Sequence, residues 1–173
     1  MPRRLDPERL GDHLDRLYRA AWGLCGSRED AEDLVQETYA RVLSKPRLLR
    51  NDDDLGYLLQ VLRNTFVSAH RAGARRPRTE VPPEGLEIVD PRSGSRPDAM
   101  TETREVFTAI AGLPEDYRDA LIAVDVAGLS YREAGKLLGA KEATITSRLF
   151  RARAHVAAGM DRPRSGVLEE KGT

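Results

Sequence analysis

The sequence is poor in the residues that usually build a large core, a redox site or a membrane span. Only 5% of its 173 residues are aromatic, and Cys25 is its single cysteine. One cysteine excludes an internal disulfide and a cysteine cluster for zinc. No apolar run approaches the roughly 18 residues that a membrane span needs, and the N-terminus has no signal-peptide core. We therefore expect a cytoplasmic protein without membrane insertion, and the few aromatics argue against one large core.

The formal net charge is zero, with 28 basic and 28 acidic side chains. That balance by itself disfavours autonomous DNA binding, because neutralisation of phosphates drives such binding. The charges are nevertheless segregated along the chain. No acidic residue occurs from Leu55 to Thr79, whereas the segment from Glu29 to Glu37 holds five acidic residues and no basic one. The first segment suits an anionic polymer and the second suits a different partner, although two solvated helix faces would give the same pattern.

Helical spacing of apolar residues predicts an all-α fold of two small helical domains joined by a flexible linker. The first domain is predicted over residues 5–74 and the second over residues 100–158, with a helix from Thr103 to Ala111 at its start. Residues 75–99 are rich in Pro, Gly, Arg and Ser, which is typical of a linker without regular structure. Residues 159–173 are predicted to be a frayed tail, and the polar stretch from Ser44 to Asp54 a loop.

The second domain ends in two helices with the pattern of a helix-turn-helix. Ser130 and Glu133 have the spacing of a capping box, Gly139 permits a tight turn, and a final helix follows from about Glu142. The second helix of such a motif enters the major groove of DNA. Its predicted DNA-contacting residues are Lys141, Glu142, Thr144, Thr146, Ser147, Arg148 and Arg151. The alternative is a plain helical hairpin with a basic outer face.

The stretch GLSYREAGKLLGAKEATITSRLFRAR (residues 128–153) resembles region four of the sigma factors of the extracytoplasmic-function (ECF) family. The stretch GSREDAEDLVQETYARVL (residues 26–43) resembles region two, and YLLQVLRNTFVSAHRAGARR (residues 57–76) resembles the helix that melts and reads the minus-ten element. The matches follow one another in the order of that family and cover nearly the whole chain.

The resemblance implies a protein that binds core RNA polymerase and directs promoter recognition, DNA melting and transcription initiation, without being an enzyme. Asp33, Gln36 and Glu37 lie where region two docks on the clamp helices of the beta-prime subunit, and region four implies the beta flap as a second contact. An anti-sigma factor is a further partner that such proteins often have. No cofactor and no metal are implied.

The same resemblance assigns the minus-ten element to the helix after the loop. The implied DNA-contacting residues are Tyr57, Arg63, Asn64, Ser68 and Arg71. The loop from Ser44 to Asp54 corresponds to the segment that cradles a flipped base, and the final helix corresponds to the reader of the minus-thirty-five element.

Several residues depart from the family pattern. Tyr57 stands where many members have Trp, and Thr146 stands where Lys is common. Gly135 stands inside a helix where Ala is usual, which is expected to cost about 1 kcal/mol relative to Ala. The loop residues 50–54 are acidic for a surface near DNA.

Three other functions fit parts of the sequence. A stand-alone helix-turn-helix regulator would need a receiver or ligand domain, but the first zone has no alternating strand pattern. A di-metal carboxylate enzyme would need Glu-x-x-His motifs, which His13, His70 and His155 do not form. A sigma-like module that only sequesters a partner would not need both reading surfaces.

Cys25 is interpreted as a small core residue, with a redox sensor as the alternative.

Overall fold

The computed structural model describes residues 3–45, 47–49, 52–74 and 97–161 of the chain. The predicted all-α fold of two helical units is confirmed, although residues 75–96 of the predicted linker and the tail from residue 162 lie outside the described residues. The N-terminal half holds α1 (Leu14–Cys25), α2 (Arg28–Ser44) and α3 (Asp54–Ala74). The C-terminal half holds α4 (Pro97–Ala111), α5 (Glu115–Leu121), α6 (Tyr131–Leu138) and α7 (Glu142–Met160).

Ser27, followed three residues later by Asp30, predicts a helix start, and both this cap and the predicted capping box of Ser130 are present. The Ser27 hydroxyl accepts a hydrogen bond from the Asp30 amide at 3.4 Å at the start of α2. Both bonds of the capping box are present before α6: Glu133 donates its amide to the Ser130 hydroxyl at 3.2 Å, and its carboxylate accepts from the Ser130 amide at 2.8 Å. Gly139 then takes a φ of 64°, which a side chain would oppose, so α6 ends in a tight turn before α7.

Two boundaries differ from the sequence prediction. The helix predicted from Thr103 begins earlier, at Pro97, a residue whose fixed φ suits a first helical turn. The pattern Leu113-Pro114-Glu115 predicts a helix that starts there and ends at Gly128, but this helix changes after Leu121 to a π-helical segment, Ile122–Val126. The apolar spacing of that segment is compatible with either winding, so the sequence alone did not separate them.

The predicted loop between α2 and α3 contains a strand that the sequence did not indicate. Strand β2 (Leu48–Leu49) pairs antiparallel with β1 (Arg3–Arg4) near the N-terminus. A 3₁₀ segment, Pro7–His13, then leads from β1 into α1. The ladder joins residues more than 40 positions apart, and a two-residue strand is too short to show a period-two pattern.

The buried apolar side chains of the two halves form one continuous cluster among the described residues. The rings of Trp22 in α1 and Phe107 in α4 stack with centroids 4.2 Å apart and planes 8° from parallel. The expectation drawn from the low aromatic content, separate small cores, is therefore not met. Alanines and leucines fill most of the shared core, and two of the few aromatics lie at the contact between the halves.

The expected cost of Gly135 relative to alanine is wrong. A Cβ atom at this position would lie 2.6 Å from the carbonyl oxygen of Ala140, and that oxygen belongs to the backbone. The helix-turn-helix folds back so closely that the turn after α6 occupies the space of a side chain. Glycine is therefore the residue that permits this turn, because alanine would displace it.

Candidate nucleic-acid interface

Helix α7 presents the predicted minus-thirty-five residues on two different sides. Thr144, Ser147, Arg148 and Arg151 lie at helical spacings that place them on one side, where they line a concave surface of about 410 Å³ together with Tyr117. Glu142 and Thr146 lie further round the helix. The Thr146 hydroxyl donates to the carbonyl of Glu142 at 3.0 Å, so this side chain is directed back along its own helix.

Two residues of α5 hold the arginines of this concave surface. The Asp116 carboxylate accepts from Nη2 of Arg148 at 3.3 Å, and the Tyr117 hydroxyl accepts from Nη1 of Arg151 at 3.2 Å. Both contacts are exposed, so each contributes little to stability and can be exchanged for a phosphate oxygen. The sequence does not indicate either contact, because Asp116 and Tyr117 are 32 and 34 positions away from their partners in α7.

Two other basic residues of this region, Lys141 and Arg153, do not line the concave surface. Lys141 is exposed immediately before the helix and makes no capping hydrogen bond with its side chain. Arg153 forms two short hydrogen bonds, 2.7 and 2.8 Å, to the carboxylate of Asp125 in the π-helical segment. This carboxylate raises the pKa of Arg153 above its ordinary value. Arg153 therefore ties α7 to the preceding segment within the C-terminal half.

Four of the five predicted minus-ten residues share one side of α3. Tyr57, Asn64, Ser68 and Arg71 follow helical spacing along that side. Tyr57 is half-buried against the core, whereas Asn64, Ser68 and Arg71 are exposed. The structure thus brings these four together as a continuous stripe of one aromatic, two neutral polar side chains and one cation.

Arg63 is separated from that stripe by about 100° of rotation about the helix axis. Its Nε donates to Oδ2 of Asp119 in α5 at 2.7 Å, and its Nη2 lies 3.4 Å from the Glu115 carboxylate. The Asp119 side chain is only 4% exposed. Arg63 is therefore directed into the contact between the two halves, and no sequence pattern indicates its acidic partners.

Arg3, near the N-terminus, forms hydrogen bonds with acidic residues at the start of α3. Arg3 donates to Asp52 at 2.8 Å and to the buried Asp54 at 2.6 Å, and these carboxylates raise the pKa of Arg3. Asp53 accepts from the backbone amide of Gly56 at 2.8 Å, which caps the first turn of α3. The acidity of the loop is therefore locally compensated, while Pro46, Arg50 and Asn51 lie outside the described residues.

The predicted polymerase-binding residues are all exposed on α2. Asp33 and Glu37 are one helical turn apart, and both line a groove of about 1150 Å³ that reaches Phe66 of α3 and Arg118 of α5. Gln36 lies beside them, outside the groove lining. Glu37 accepts from Nε of Arg41 at 2.8 Å. The structure brings the three residues to one exposed, acidic helix surface.

Cys25 lies half-buried in the same groove. Burial and the nearby carboxylate of Asp30 raise the pKa of the Cys25 thiol to about 12. Since the thiolate is the reactive form, this thiol stays protonated and unreactive near neutral pH. The environment favours a packing residue over a redox sensor.

The family models match both halves. The model of Sigma-70 region 2 matches residues 10–76, and that of Sigma-70 region 4 matches residues 103–156. These spans contain the stripe on α3, the acidic surface of α2 and the concave surface on α7. The alternative of a stand-alone regulator accounts for the second match and not for the first.

The curated relatives carry one family name. The ECF sigma factor SigE of Mycolicibacterium smegmatis is 34% identical over 149 residues, which is 84% of this chain and 58% of SigE. EcfG of Rhodopseudomonas palustris is 35% identical, covering 82% of this chain and 77% of EcfG. SigM of Bacillus subtilis is 28% identical over 91% of this chain and 94% of SigM. The chain belongs to the ECF RNA polymerase sigma factors.

Solved structures agree with this fold. The sigma factor RpoE of Bartonella quintana, solved with the anti-sigma factor NepR, has a TM-score of 0.69 and 27% identity, covering 90% of this chain and 97% of RpoE. CnrH, solved with the cytosolic domain of CnrY, has a TM-score of 0.63 at 21% identity and shares the fold.

The described part of the chain offers neither a metal site nor a membrane span. No group of three His, Cys, Asp or Glu side chains there could hold a metal ion. No described helix is both long and apolar enough to cross a membrane.

Proposed function

We propose that this chain is a promoter-recognition subunit that acts in the cytoplasm with core RNA polymerase and has no catalytic activity of its own. In this function α2 binds the clamp helices of the beta-prime subunit through Asp33, Gln36 and Glu37. The C-terminal half binds the beta flap and directs α7 to the minus-thirty-five element. The predicted division into domains of residues 5–74 and 100–158 is part of the same proposal.

The observation that carries this proposal is the joint presence of two chemically different surfaces in one chain. The concave surface on α7 offers hydroxyl and guanidinium donors, which suit phosphates and the acceptor edges of bases. The α2 surface is acidic and would repel DNA, so it requires a partner other than nucleic acid. A DNA-binding regulator needs the first surface only, whereas a sigma factor uses both.

The stripe on α3 fits the minus-ten element. A melted base must leave its stack, at a cost of a few kcal/mol, and an aromatic ring such as that of Tyr57 can offset part of this cost by stacking. Asn64 and Ser68 supply hydrogen bonds to base edges, and Arg71 supplies a phosphate contact. Arg63 joins this set only after its contact with Asp119 is broken.

The test is transcription by purified core polymerase from a pool of genomic fragments, with and without this protein. Transcripts that start at a fixed distance from a shared two-part sequence are expected only when the protein is present. DNA binding by the protein alone, without new transcripts, would support a stand-alone regulator instead. A matched control replaces Arg19, an exposed cation of α1 outside the proposed surfaces, by Ala and should leave the transcripts unchanged.

An anti-sigma factor is a second proposed partner. The groove between α2, α3 and α5 combines apolar walls with the carboxylates of Asp30, Asp33 and Glu37, so an amphipathic helix with basic residues would fit it. Binding there would cover part of the polymerase surface. Co-expression with a candidate partner encoded beside this gene tests the proposal: a stable complex should form, and replacing Asp33 and Glu37 by Lys should abolish it.

A further inference from the structure

Strand β1 places one arginine on the inner side of the short ladder and the next on the outer side. Arg3 pairs with Leu49, and Arg4 pairs with Leu48. Successive side chains of a strand point to opposite sides. Leu49 is buried and Arg3 is half-buried, whereas Arg4 and Leu48 are exposed. The side chain of Arg3 is therefore directed towards the protein, and that of Arg4 is directed away from it.

The guanidinium of Arg3 binds two carboxylates at the end of the loop between α2 and α3. Its Nε donates to Oδ1 of Asp52 at 2.8 Å, and its Nη2 donates to Oδ1 of Asp54 at 2.6 Å. Asp54 is the first residue of α3. One residue thus contacts the loop twice, at Leu49 through the ladder and at Asp52 and Asp54 through its side chain.

The burial of Asp54 makes this contact costly to lose. The Asp54 side chain is only 2% exposed, and a buried carboxylate is expensive unless it is paired. Its Oδ2 accepts no hydrogen bond from the described residues. Nη1 of Arg9 lies 3.8 Å from that oxygen, which is too far for a hydrogen bond. In the described part of the chain, Arg3 is therefore the closest compensation for the charge of Asp54.

The first turn of α3 begins in the same segment. Asp53 lies between the two carboxylates that bind Arg3, and it caps this turn through the Gly56 amide. A Cβ atom at Gly56 would collide with the Asp53 carboxylate, so a side chain there would displace the cap. Tyr57, the aromatic residue of the stripe on α3, comes next. The contacts of Arg3 therefore fix the segment from which Tyr57 is presented.

We propose that Arg3 is a positioning residue for base selection at the minus-ten element, because it holds the loop and the start of α3 in the geometry that receives an unstacked base. The inference rests on the proposed function and adds a residue near the N-terminus to those that determine promoter choice. Hydrogen bonds to a base edge require precise placement, whereas phosphate contacts carry no sequence information. A loop without this anchor therefore loses preference for the matching base more than affinity for DNA in general.

Hydrogen exchange of the free, full-length protein tests the anchor without DNA. Arg3→Ala should accelerate exchange of the backbone amides in residues 48–49 and 52–57 by about tenfold, the effect of losing one hydrogen bond to a charged group. Arg4→Ala is the matched control, because Arg4 lies on the same strand but its side chain is exposed, and it should leave the exchange unchanged. Equal exchange in Arg3→Ala and the unmutated protein would overturn the inference.

Base preference on the polymerase tests what the anchor does. The promoter found in the pool is prepared with each of the four bases at each position of its minus-ten element, and transcripts are compared between variants. At the position with the strongest preference, Arg3→Ala should reduce discrimination against the wrong bases by about tenfold, whereas Arg4→Ala should keep it. Arg3→Lys keeps the charge without the forked geometry of a guanidinium and should be intermediate. Undiminished discrimination in Arg3→Ala would overturn the inference.

A double variant separates positioning from stability. Arg3→Ala leaves the Asp54 carboxylate buried without its closest partner and should lower the melting temperature. Adding Asp54→Asn removes that charge and should restore most of the melting temperature, but base discrimination should stay low because the anchor is still missing. Recovery of both together would show that the contact contributes only to stability, and would overturn the inference.

The outcomes distinguish this inference from the proposed function. If the unmutated protein directs no transcription with core polymerase, the proposed function fails and the inference fails with it. If the unmutated protein directs transcription with a clear base preference and Arg3→Ala does so equally well, the inference alone fails.

Discussion

The two halves hold the arginines that we propose as DNA contacts in opposite ways. In the C-terminal half, Arg148 and Arg151 are held by Asp116 and Tyr117 of the same half, through exposed contacts that a phosphate can replace. In the N-terminal half, Arg63 is held by Asp119 of the other half, whose carboxylate is nearly inaccessible. The proposed duplex-reading surface is therefore preformed, whereas the proposed surface for melted DNA lacks Arg63 as long as Arg63 is paired with Asp119.

The largest expected effect comes from removing the preformed arginines. Replacing Arg148 and Arg151 together by Ala should abolish transcription that depends on the minus-thirty-five element, because each removes a charge-assisted contact to DNA. Run-off transcription with the promoter found in the pool is the measurement. The protein should still bind core polymerase in a pull-down, which shows that the fold survives. Unchanged transcript levels would contradict the assignment of the concave surface.

The second prediction concerns Cys25 and the groove between the halves. A pKa of about 12, compared with an ordinary 9.0, should make alkylation by iodoacetamide at pH 8 roughly a hundredfold slower than in urea. Mass spectrometry measures both rates. Asp119→Asn should accelerate the reaction in the folded protein, because separation of the halves hydrates the thiol. Equal rates in the native and unfolded chains would show that the groove is open.

The raised pKa of Cys25 also predicts how the stability of the protein depends on pH. In the unfolded chain Cys25 ionises at its ordinary pKa, whereas in the folded chain it stays protonated to higher pH. Below about pH 9 the thiol is protonated in both states, so its effect on the free energy of unfolding does not change with pH there. Stability should fall as pH rises from there towards 12. Urea unfolding across this range should show a larger loss of stability for the protein than for Cys25→Ser, in which Tyr39, whose pKa burial also raises, still contributes.

The third prediction tests how rigidly the C-terminal half is preformed. Gly135→Ala places a methyl group against the Ala140 carbonyl and should cost about 1–3 kcal/mol of unfolding free energy. Gly159→Ala is the matched control, since a Cβ atom there has no neighbour within 4 Å and alanine favours the helix. Thermal melts should shift down for the first and not for the second.

The smallest effect is expected from a single hydroxyl. Tyr117→Phe removes the acceptor of Arg151 and should weaken duplex binding of the polymerase complex by about fivefold, equivalent to about 1 kcal/mol. Tyr18→Phe removes a similar acceptor, that of Arg28 in the N-terminal half, and should leave duplex binding unchanged. A filter-binding titration with the promoter duplex distinguishes them.

The predictable part of this protein is its local structure. Capping pairs such as Ser27–Asp30 and Ser130–Glu133, with a glycine turn at Gly139, located helix starts and ends because they involve residues within one turn. The faces of α3 and α7 also followed from helical spacing. Family resemblance supplied the roles.

What the sequence did not show is contact across long separations. The pairing of Arg63 with Asp119, of Arg3 with Asp54 and of the two short strands all join distant positions, and no single-sequence period reports such pairs. Gly135 was misread for the same reason, because its constraint comes from a carbonyl beyond the helix end. None of these features can be predicted unless the path of the backbone is known.

The two residues of the contact between Arg63 and Asp119 are synthesised at different times. The two residues are 56 positions apart, and ribosomes add about 5–20 residues per second, so Asp119 is made roughly 3–11 s after Arg63. Between the completion of α3 at Ala74 and the synthesis of Asp119, a nascent chain carries all three N-terminal helices without the carboxylate that pairs with Arg63. The contact can therefore form only after all three N-terminal helices have been made, whereas α6 and α7 are made later still.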